Sequence, residues 1–331
     1  VQAPFVTGGA SNELFEIQRG EHRWALRRPP RMVPEGRNET MLREYRILRA
    51  LADSNVPHPA VRAVCAEPSV LGATFYLMDF VDGWSPISES HWPEPFDSDP
   101  GARRGLAFEL VDAIARLSRV DWKARGLEGL GRPDGFHDRQ VDRWYAHLSR
   151  FEFREIPGLD EAGDWLRGHR PRNYQPGIMH GDYQFANVMF HHGGPARLAA
   201  IVDWEMGTVG DPLLDLAWVV MGWPDEGEVR TGGYVDYTGM PNRDDLLDHY
   251  ATVSGRDVDD IDYYVVLARF KLAIVLEGGY ARYVAGRADN PRMEAFGGVV
   301  LDLAARAAEL VRTIWPRSAG FLDSGAAEGA G

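Results

Sequence analysis

Residues 178–190, Ile-Met-His-Gly-Asp-Tyr-Gln-Phe-Ala-Asn-Val-Met-Phe, form an apolar run broken by groups able to do chemistry. His180, Gly181 and Asp182 are followed, five residues after the carboxylate, by the amide of Asn187. A second run, Ile-Val-Asp-Trp-Glu at 201–205, brings the carboxylates of Asp203 and Glu205. Between the two, His191-His192-Gly193-Gly194-Pro195 reads as a turn, so 187–203 is expected to be an antiparallel hairpin. With that turn centred near Pro195, positions equidistant from it face each other, which sets Asn187 almost opposite Asp203. An amide oxygen beside a carboxylate suits Mg²⁺, a hard cation, when phosphates complete its shell. Asp182 lies on the loop feeding the hairpin and can face the same point. Each residue alone has a plainer explanation, Asp182 and Asn187 as turn residues and Asp203 as a strand end. Their joint spacing favours one shared site.

The elements that must hold this site can be read from periodicity. Residues 13–28 alternate around Arg19-Gly20-Glu21 and predict a hairpin that Pro29-Pro30 stops. Met41, Leu42, Tyr45, Leu48 and Leu51 follow helical spacing over 38–52. Residues 74–83, Thr-Phe-Tyr-Leu-Met-Asp-Phe-Val-Asp-Gly, predict a buried strand. Together these predict a small sheet-rich lobe over 1–80 with one main helix. Beyond a polar, proline-spotted stretch the pattern turns helical. Leu106, Leu110, Ile114 and Leu117 make one stripe, and Val141, Trp144, Leu148 and Phe151 another. Further helices are expected over 212–222, 244–253, 258–284 and 292–314, the first opened by Asp211-Pro212 as cap and first turn. The larger lobe is therefore placed at 81–318, and 319–331, rich in glycine and alanine, reads as a flexible tail.

Composition narrows the function. A chain of 331 residues exceeds one simple core and fits two lobes. Its formal net charge of −13 disfavours nucleic acid or an anionic membrane as partner, because both demand basic surface. No apolar stretch approaches a membrane span of about 18 residues, and no signal peptide is expected, since the residues from Val1 on do not read as a basic-then-apolar leader. The lone cysteine, Cys65, excludes an internal disulfide and suits a reducing cytoplasm, so a cytoplasmic location is expected. Composition leaves the oligomeric state open.

His-Gly-Asp-Tyr-Gln-Phe-Ala-Asn followed by Ile-Val-Asp-Trp-Glu resembles the H-G-D-x-x-x-x-N and I-x-D signatures of the aminoglycoside phosphotransferase and choline-kinase-like family, small-molecule relatives of the protein kinases. The resemblance runs from about residue 6 to 315. Residues 201–218, Ile-Val-Asp-Trp-Glu-Met-Gly-Thr-Val-Gly-Asp-Pro-Leu-Leu-Asp-Leu-Ala-Trp, look most like the branch that includes kinase domains fused to acyl-CoA dehydrogenases. It implies an α+β, bilobal protein-kinase-like fold with a small antiparallel-sheet N-lobe and a larger, mostly helical C-lobe. By the same resemblance Asp182 matches the catalytic base, and Asn187 and Asp203 the Mg²⁺ ligands. His180 is expected to brace the loop carrying Asp203, and Asp215 the catalytic loop. Glu205 either faces a substrate or bonds neighbouring backbone.

In the smaller lobe the resemblance implies a nucleotide site. Residues 7–15, Thr-Gly-Gly-Ala-Ser-Asn-Glu-Leu-Phe, occupy the place of a phosphate-covering loop, with Ser11 or Asn12 as donor, although the same residues also make an ordinary turn. Trp-Ala-Leu-Arg at 24–27 parallels the Val-Ala-Ile-Lys of protein kinases. Strand alternation puts Ala25 and Arg27 on one face, Ala25 against adenine and Arg27 toward the phosphates. Arg27 departs from the usual lysine; its planar fork has a different reach. Glu44 matches the acid that pairs with that cation, with a solvated surface charge as the alternative. The main chain at Asp79 and Val81 matches the segment that bonds the adenine edge.

The expected activity is phosphoryl transfer from ATP, or GTP, with Mg²⁺, to a hydroxyl of a small molecule. The branch implies a hydroxyacyl-CoA acceptor. An aminoglycoside-modifying enzyme and a nucleotide-binding pseudokinase are the alternatives. A metallohydrolase using His180, Asp182, His191 and His192 fits poorly, because adjacent histidines at a turn point opposite ways.

Overall fold

A computed structural model describes residues 12–30, 33, 36–87, 91–151, 154–224, 235–288, 290 and 292–322. In chain order the elements are β1 (Glu13–Arg19), β2 (His22–Arg28), α1 (Arg37–Ala50), β3 (Val61–Cys65), the single turn α2 (Pro68–Leu71), β4 (Phe75–Asp79) and α3 (Pro100–Ser118). There follow α4 (Gln140–Leu148), α5 (Leu159–Gly168), β5 (Gly177–Met179), β6 (Val188–Phe190), β7 (Leu198–Ile201) and β8 (Thr208–Gly210). The chain ends with α6 (Leu213–Val220), α7 (Arg243–Ser254), α8 (Ile261–Val284) and α9 (Arg292–Leu322). The last helix runs past residue 319, where a tail was expected; 323–331 lie outside the described residues. Among the described residues no helix is long and apolar enough to cross a membrane.

Two compact units result: Val1–Pro133 with Gln175–Asp257, and Asp134–Tyr174 with Val258–Gly331. In the first unit, β1 to β4 form an antiparallel sheet in the order β1-β2-β4-β3. The expected hairpin over 13–28 and helix over 38–52 are both present. Helix α1 turns Met41, Glu44, Ile47 and Leu48 inward, all at most 1% exposed. An acid on that face was the one member its apolar spacing did not announce. Leu42, expected with the apolar stripe, is instead 40% exposed. Strand β3 was not foreseen: it is a sheet edge whose residues Arg62, Ala63 and Val64 are exposed, so it lacks the alternation of a half-buried strand.

Helix α3 is the spine of the rest of that unit. Asp99 caps it, accepting from Gly101 N–H at 2.8 Å, and Pro100 fits its first turn. It packs against α6, α7, β5 and β7, burying Leu106, Leu110, Val111 and Ile114. The short strand pairs β5 with β8 and β6 with β7 frame the two loops that carry Asp182 and Asp203. In the second unit α8 lies along α9 and also packs on α4 and α5, around Phe270, Ile274, Ala304 and Ala307.

After β4 the chain crosses onto β6. Trp84 N–H donates to Phe190 O at 3.0 Å, Phe190 N–H returns to Trp84 O at 2.7 Å, and Ser85 Oγ donates to Val188 O at 2.5 Å. Gly83 makes this approach possible, since a Cβ there would stand 2.7 Å from Phe190 O. Gly83→Ala is therefore expected to destabilise the protein by roughly 1–3 kcal/mol. Gly168→Ala, whose Cβ meets nothing within 4 Å, should be neutral or slightly stabilising. Urea unfolding of the two variants checks the contrast; equal midpoints would contradict it.

Candidate active site

Arg27 and Ala25 share one face of β2, as alternation requires, with Ala25 opposite Met78 and Arg27 opposite Tyr76 on β4. Ala25 is 4% exposed. Arg27 lies between two carboxylates from distant parts of the chain. Its Nη2 donates to Asp203 Oδ1 at 2.5 Å, and its Nε stands 2.9 Å from Glu44 Oε2. The second contact is ionic, because neither Arg27 Nε nor Glu44 Oε1 has a hydrogen-bond partner. Tyr76 Oη completes the group by donating to Glu44 Oε2 at 2.8 Å. Burial opposes the charge on Arg27, yet Glu44, Tyr76 and Asp203 together hold its guanidinium above the ordinary value. Burial pushes the Glu44 carboxyl up to about 7 against the pull of Arg27 and of the Tyr76 hydroxyl. Glu44 is thus an interior partner of Arg27 and not a solvated surface charge.

Helix α1 grips the Asp203 loop at two further points. Arg37 Nη1 donates to Glu205 Oε2 at 2.9 Å and Arg43 Nη2 to Gly207 O at 2.5 Å. Asn12 Nδ2 adds a 3.2 Å bond to the same Glu205 oxygen. Glu205 therefore bonds side chains of the sheet lobe. Sequence reasoning missed Arg37, Arg43 and Tyr76. The available signal was a helix carrying arginines on either side of a buried acid.

Asp203 adopts the left-handed conformation, with φ 61° and ψ 61°. Among non-glycine residues aspartate and asparagine tolerate this region best. The bend ends β7 and starts the turn Trp204–Met206. Trp204, 2% exposed, anchors that turn by donating Nε1–H to Ile201 O at 3.0 Å. The hairpin register differs slightly from expectation. Val188 pairs with Ile201, Val202 N–H donates to Asn187 O at 2.9 Å, and a bulge follows Met189. Asn187 thus faces Val202, one residue short of Asp203, and belongs to the turn Phe185–Asn187 rather than to the strand.

The loop before β6 is organised around Asp182. Its Oδ1 accepts from Gln184 Nε2 at 2.9 Å and its Oδ2 from Asn187 Nδ2 at 2.9 Å. Asn187 Nδ2 also donates to Asp182 O at 2.7 Å. With its nitrogen committed to Asp182, Asn187 keeps its amide oxygen for another partner. Asp215 braces the loop from α6, accepting from His180 N–H at 2.6 Å and Gly181 N–H at 2.8 Å. His180 Nε2–H donates to Val202 O at 2.9 Å, tying this loop to the residue before Asp203. Both residues brace as expected, and His191 and His192 are exposed. Gly181 has φ +84°, and a Cβ there would stand 2.6 Å from Met206 O, so only glycine fits. Asp211 caps α6, its Oδ1 accepting from Leu213 N–H at 3.2 Å.

Asp182, Asn187, Asp203, Arg27 and Glu44 therefore belong to one connected network within one unit. Asp79 is the last residue of β4, and Val81 follows two residues later. Asp79 spends its side chain on Arg62 at 2.6 Å and its N–H on Ala60 O at 2.9 Å, which leaves its carbonyl as the main-chain group it can offer. Ser11 lies outside the described residues.

The family model described as the phosphotransferase enzyme family matches residues 2–247. The chain belongs to that family. This phosphotransferase is 30% identical to acyl-CoA dehydrogenase family member 11 of Gallus gallus over 319 residues, 93% of this chain and 40% of that one. It is 31% identical to the probable acyl-CoA dehydrogenase IBR3 of Arabidopsis thaliana, over 85% of this chain and 36% of that one. The chain thus spans well under half the length of these relatives. Among solved structures, a candidate aminoglycoside phosphotransferase of Ralstonia eutropha JMP134 superposes with a TM-score of 0.80 at 29% identity, covering 94% of this chain and 92% of that one. Macrolide 2′-phosphotransferase MphH of Brachybacterium faecium shares the fold, with a TM-score of 0.59 at 19% identity over 90% and 91% of the two chains. The fold is the α+β kinase-like phosphotransferase fold, and this chain is a small-molecule kinase of that family.

Burial of Glu44 gives the phosphotransferase a pH signature. Its folded value of about 7 exceeds the ordinary 4.5, so between these the folded chain holds a proton that the unfolded chain has released. Stability falls as pH rises through that window, and the loss is complete above the folded value. Glu44→Gln should remove this slope, its stability relative to the parent rising by roughly 2–3 kcal/mol from pH 4.5 to 8. Urea unfolding across that range checks it; a constant difference between the two proteins would contradict the assignment.

Proposed function

We propose that the protein transfers the γ-phosphoryl group of ATP, with Mg²⁺, to a hydroxyl of a small metabolite, and that the metabolite is a hydroxyacyl-CoA. One observation carries this reading: Arg27, Glu44 and Asp203 are joined in one unit with a loop whose Asp182 and Asn187 are bonded to each other. Arg27 takes phosphate oxygens in its planar fork, while Glu44 and Tyr76 fix the guanidinium from behind. Ala25 leaves room for adenine, whose edge meets the main chain at Asp79 and Val81. Ser11 or Asn12 would add a donor from the covering loop.

The oxygen-rich pair Asn187 and Asp203 fits a hard cation, because Asn187 has committed its nitrogen and retains its oxygen. A magnesium ion held there would neutralise charge on the phosphates during transfer. Asp182, oriented by Gln184 and Asn187, accepts the acceptor's hydroxyl proton. The acceptor oxygen forms its bond to the γ-phosphorus as the bond to the β,γ-bridging oxygen breaks, and ADP departs with that electron pair. Positioning and charge supply most of the rate.

The acyl-CoA acceptor draws support from relatives named as acyl-CoA dehydrogenases, whose length this chain only partly spans. An antibiotic acceptor is the second reading, supported by the aminoglycoside and macrolide enzymes that share the fold. A pseudokinase has little support. Arginine at position 27 fits a chain with only two lysines, Lys123 and Lys271, and the Asp182, Asn187 and Asp203 set is complete.

Transfer of label from γ-labelled ATP with Mg²⁺ tests the proposal, with hydroxyacyl-CoA thioesters, aminoglycosides, choline and simple sugars as acceptors. Transfer to the thioesters is expected. Asp182→Asn should lower it by about 10²–10⁴-fold with little change in protein stability. Arg27→Lys should retain measurable transfer and Arg27→Ala should not. Label on aminoglycosides alone would replace the acceptor, and no Asp182-dependent transfer to any of them would overturn the reading.

A further inference from the structure

The second unit contains a cavity of about 600 Å³ where the C-terminal end of α8 meets the segment that follows α4. Arg150, Arg154, Arg282 and Arg287 line it, an accumulation of positive charge in a chain whose formal net charge is −13. One of these is compensated. Arg154 Nη2 stands 3.4 Å from the carboxylate of Glu277, which is 1% exposed, and its guanidinium lies 4.5 Å from the centre of the Tyr280 ring. Arg282 Nε donates to Gly278 O at 3.2 Å, a neutral acceptor. Arg150, Arg282 and Arg287 have no carboxylate partner among the described residues. His147, one turn before Arg150, registers the same field. Burial first, and then Arg150, Arg143 and Arg282, lower its pKa.

The remaining wall is apolar, formed by Phe151, the Tyr280 ring and Val284, which is 66% exposed. Three uncompensated guanidiniums beside an apolar wall match a phosphoryl group joined to an organic body, because each guanidinium can meet two phosphate oxygens at once. The volume suits a ligand of coenzyme or nucleotide size and far exceeds a lone phosphate.

We propose that this cavity binds a phosphorylated small molecule, its phosphoryl or diphosphoryl group held by Arg150, Arg282 and Arg287 and its organic part lying on Phe151, Tyr280 and Val284. Coenzyme A, with a diphosphate and a separate phosphate, is the occupant this chemistry selects if the acceptor is an acyl-CoA; that choice of occupant rests on the proposed function, whereas the class of ligand does not.

Isothermal titration of the full chain with coenzyme A, inorganic pyrophosphate and ADP, at low and high salt, tests this. Coenzyme A should bind more tightly than pyrophosphate, and its affinity should fall with salt. The double variant Arg150→Glu with Arg282→Glu should weaken it tenfold or more. Both side chains are exposed, so the variant should fold, and its melting temperature checks this. Arg150→Gln with Arg282→Gln should fall between parent and reversal. Arg27→Ala should weaken ADP and leave coenzyme A unchanged, and Asp182→Asn should change neither. Equal coenzyme A binding by parent and charge-reversed protein, or no binding of any of the three ligands that depends on Arg150 and Arg282, would overturn the site. Affinity for pyrophosphate equal to that for coenzyme A would overturn its apolar half. Tight ADP binding sensitive to Arg150 and Arg282, without coenzyme A binding, would keep the ligand class and overturn the occupant. Loss of phosphoryl transfer with this binding intact would count against the proposed function alone.

Discussion

A guanidinium held almost out of water is costly unless its charge is met where it lies. Arg27 is met from two directions, by Glu44 on α1 and by Asp203 beyond β7, and neither carboxylate is near it in sequence. That single requirement fixes the relation of strand β2, helix α1 and the Asp203 loop. The contact with Glu44 lacks an aligned hydrogen bond, so charge rather than direction holds it. Such a cation can meet a polyanion without first breaking a well-formed bond to Glu44. The Asp203 contact is short and directed, and it is the one that a phosphate and its cation would compete for.

The neighbouring contacts follow from the same constraint. If Asp203 must reach Arg27, its loop has to be held to α1, and Arg37 and Arg43 do so through Glu205 and Gly207. The Asp182 loop must in turn be held to the Asp203 loop, which His180 does through Val202 O. Gly181 allows that approach because any side chain there would strike Met206 O. Asp215 secures the other side by taking two successive backbone N–H groups. Each link pairs a donor on one element with an acceptor on another.

Much of this was legible in the residues. Alternation in β1 and β2 revealed the hairpin and the shared face of Ala25 and Arg27, and helical spacing revealed α1, α3, α4, α6, α7, α8 and α9 but not α5. The Asp182, Asn187 and Asp203 spacing pointed to one site, although the turn is centred nearer Gly194 than Pro195, so that even with the bulge after Met189 Asn187 stands one place from the expected register. What escaped has physical causes. Strand β3 is an exposed edge, and β5 and β8 are three residues each, too short for any period. Glu44 was read from the family resemblance and not from periodicity, because its burial depends on a partner in another element. Arg37 and Arg43 look like solvent-facing charges until the 203–207 loop is in place beside them. Patterns of burial are local, whereas charge pairing across the fold is not.

The most direct measurement of this account is a double-mutant cycle on Arg27→Met and Asp203→Asn, read as affinity for Mg-ATP in the full chain. If the two residues act on one metal-bound triphosphate, each single change should remove most of the affinity and the pair should cost little more, giving a coupling of roughly 1–3 kcal/mol. Effects that simply add, or singles that leave affinity unchanged, would contradict the claim that Arg27 and Asp203 meet at a nucleotide.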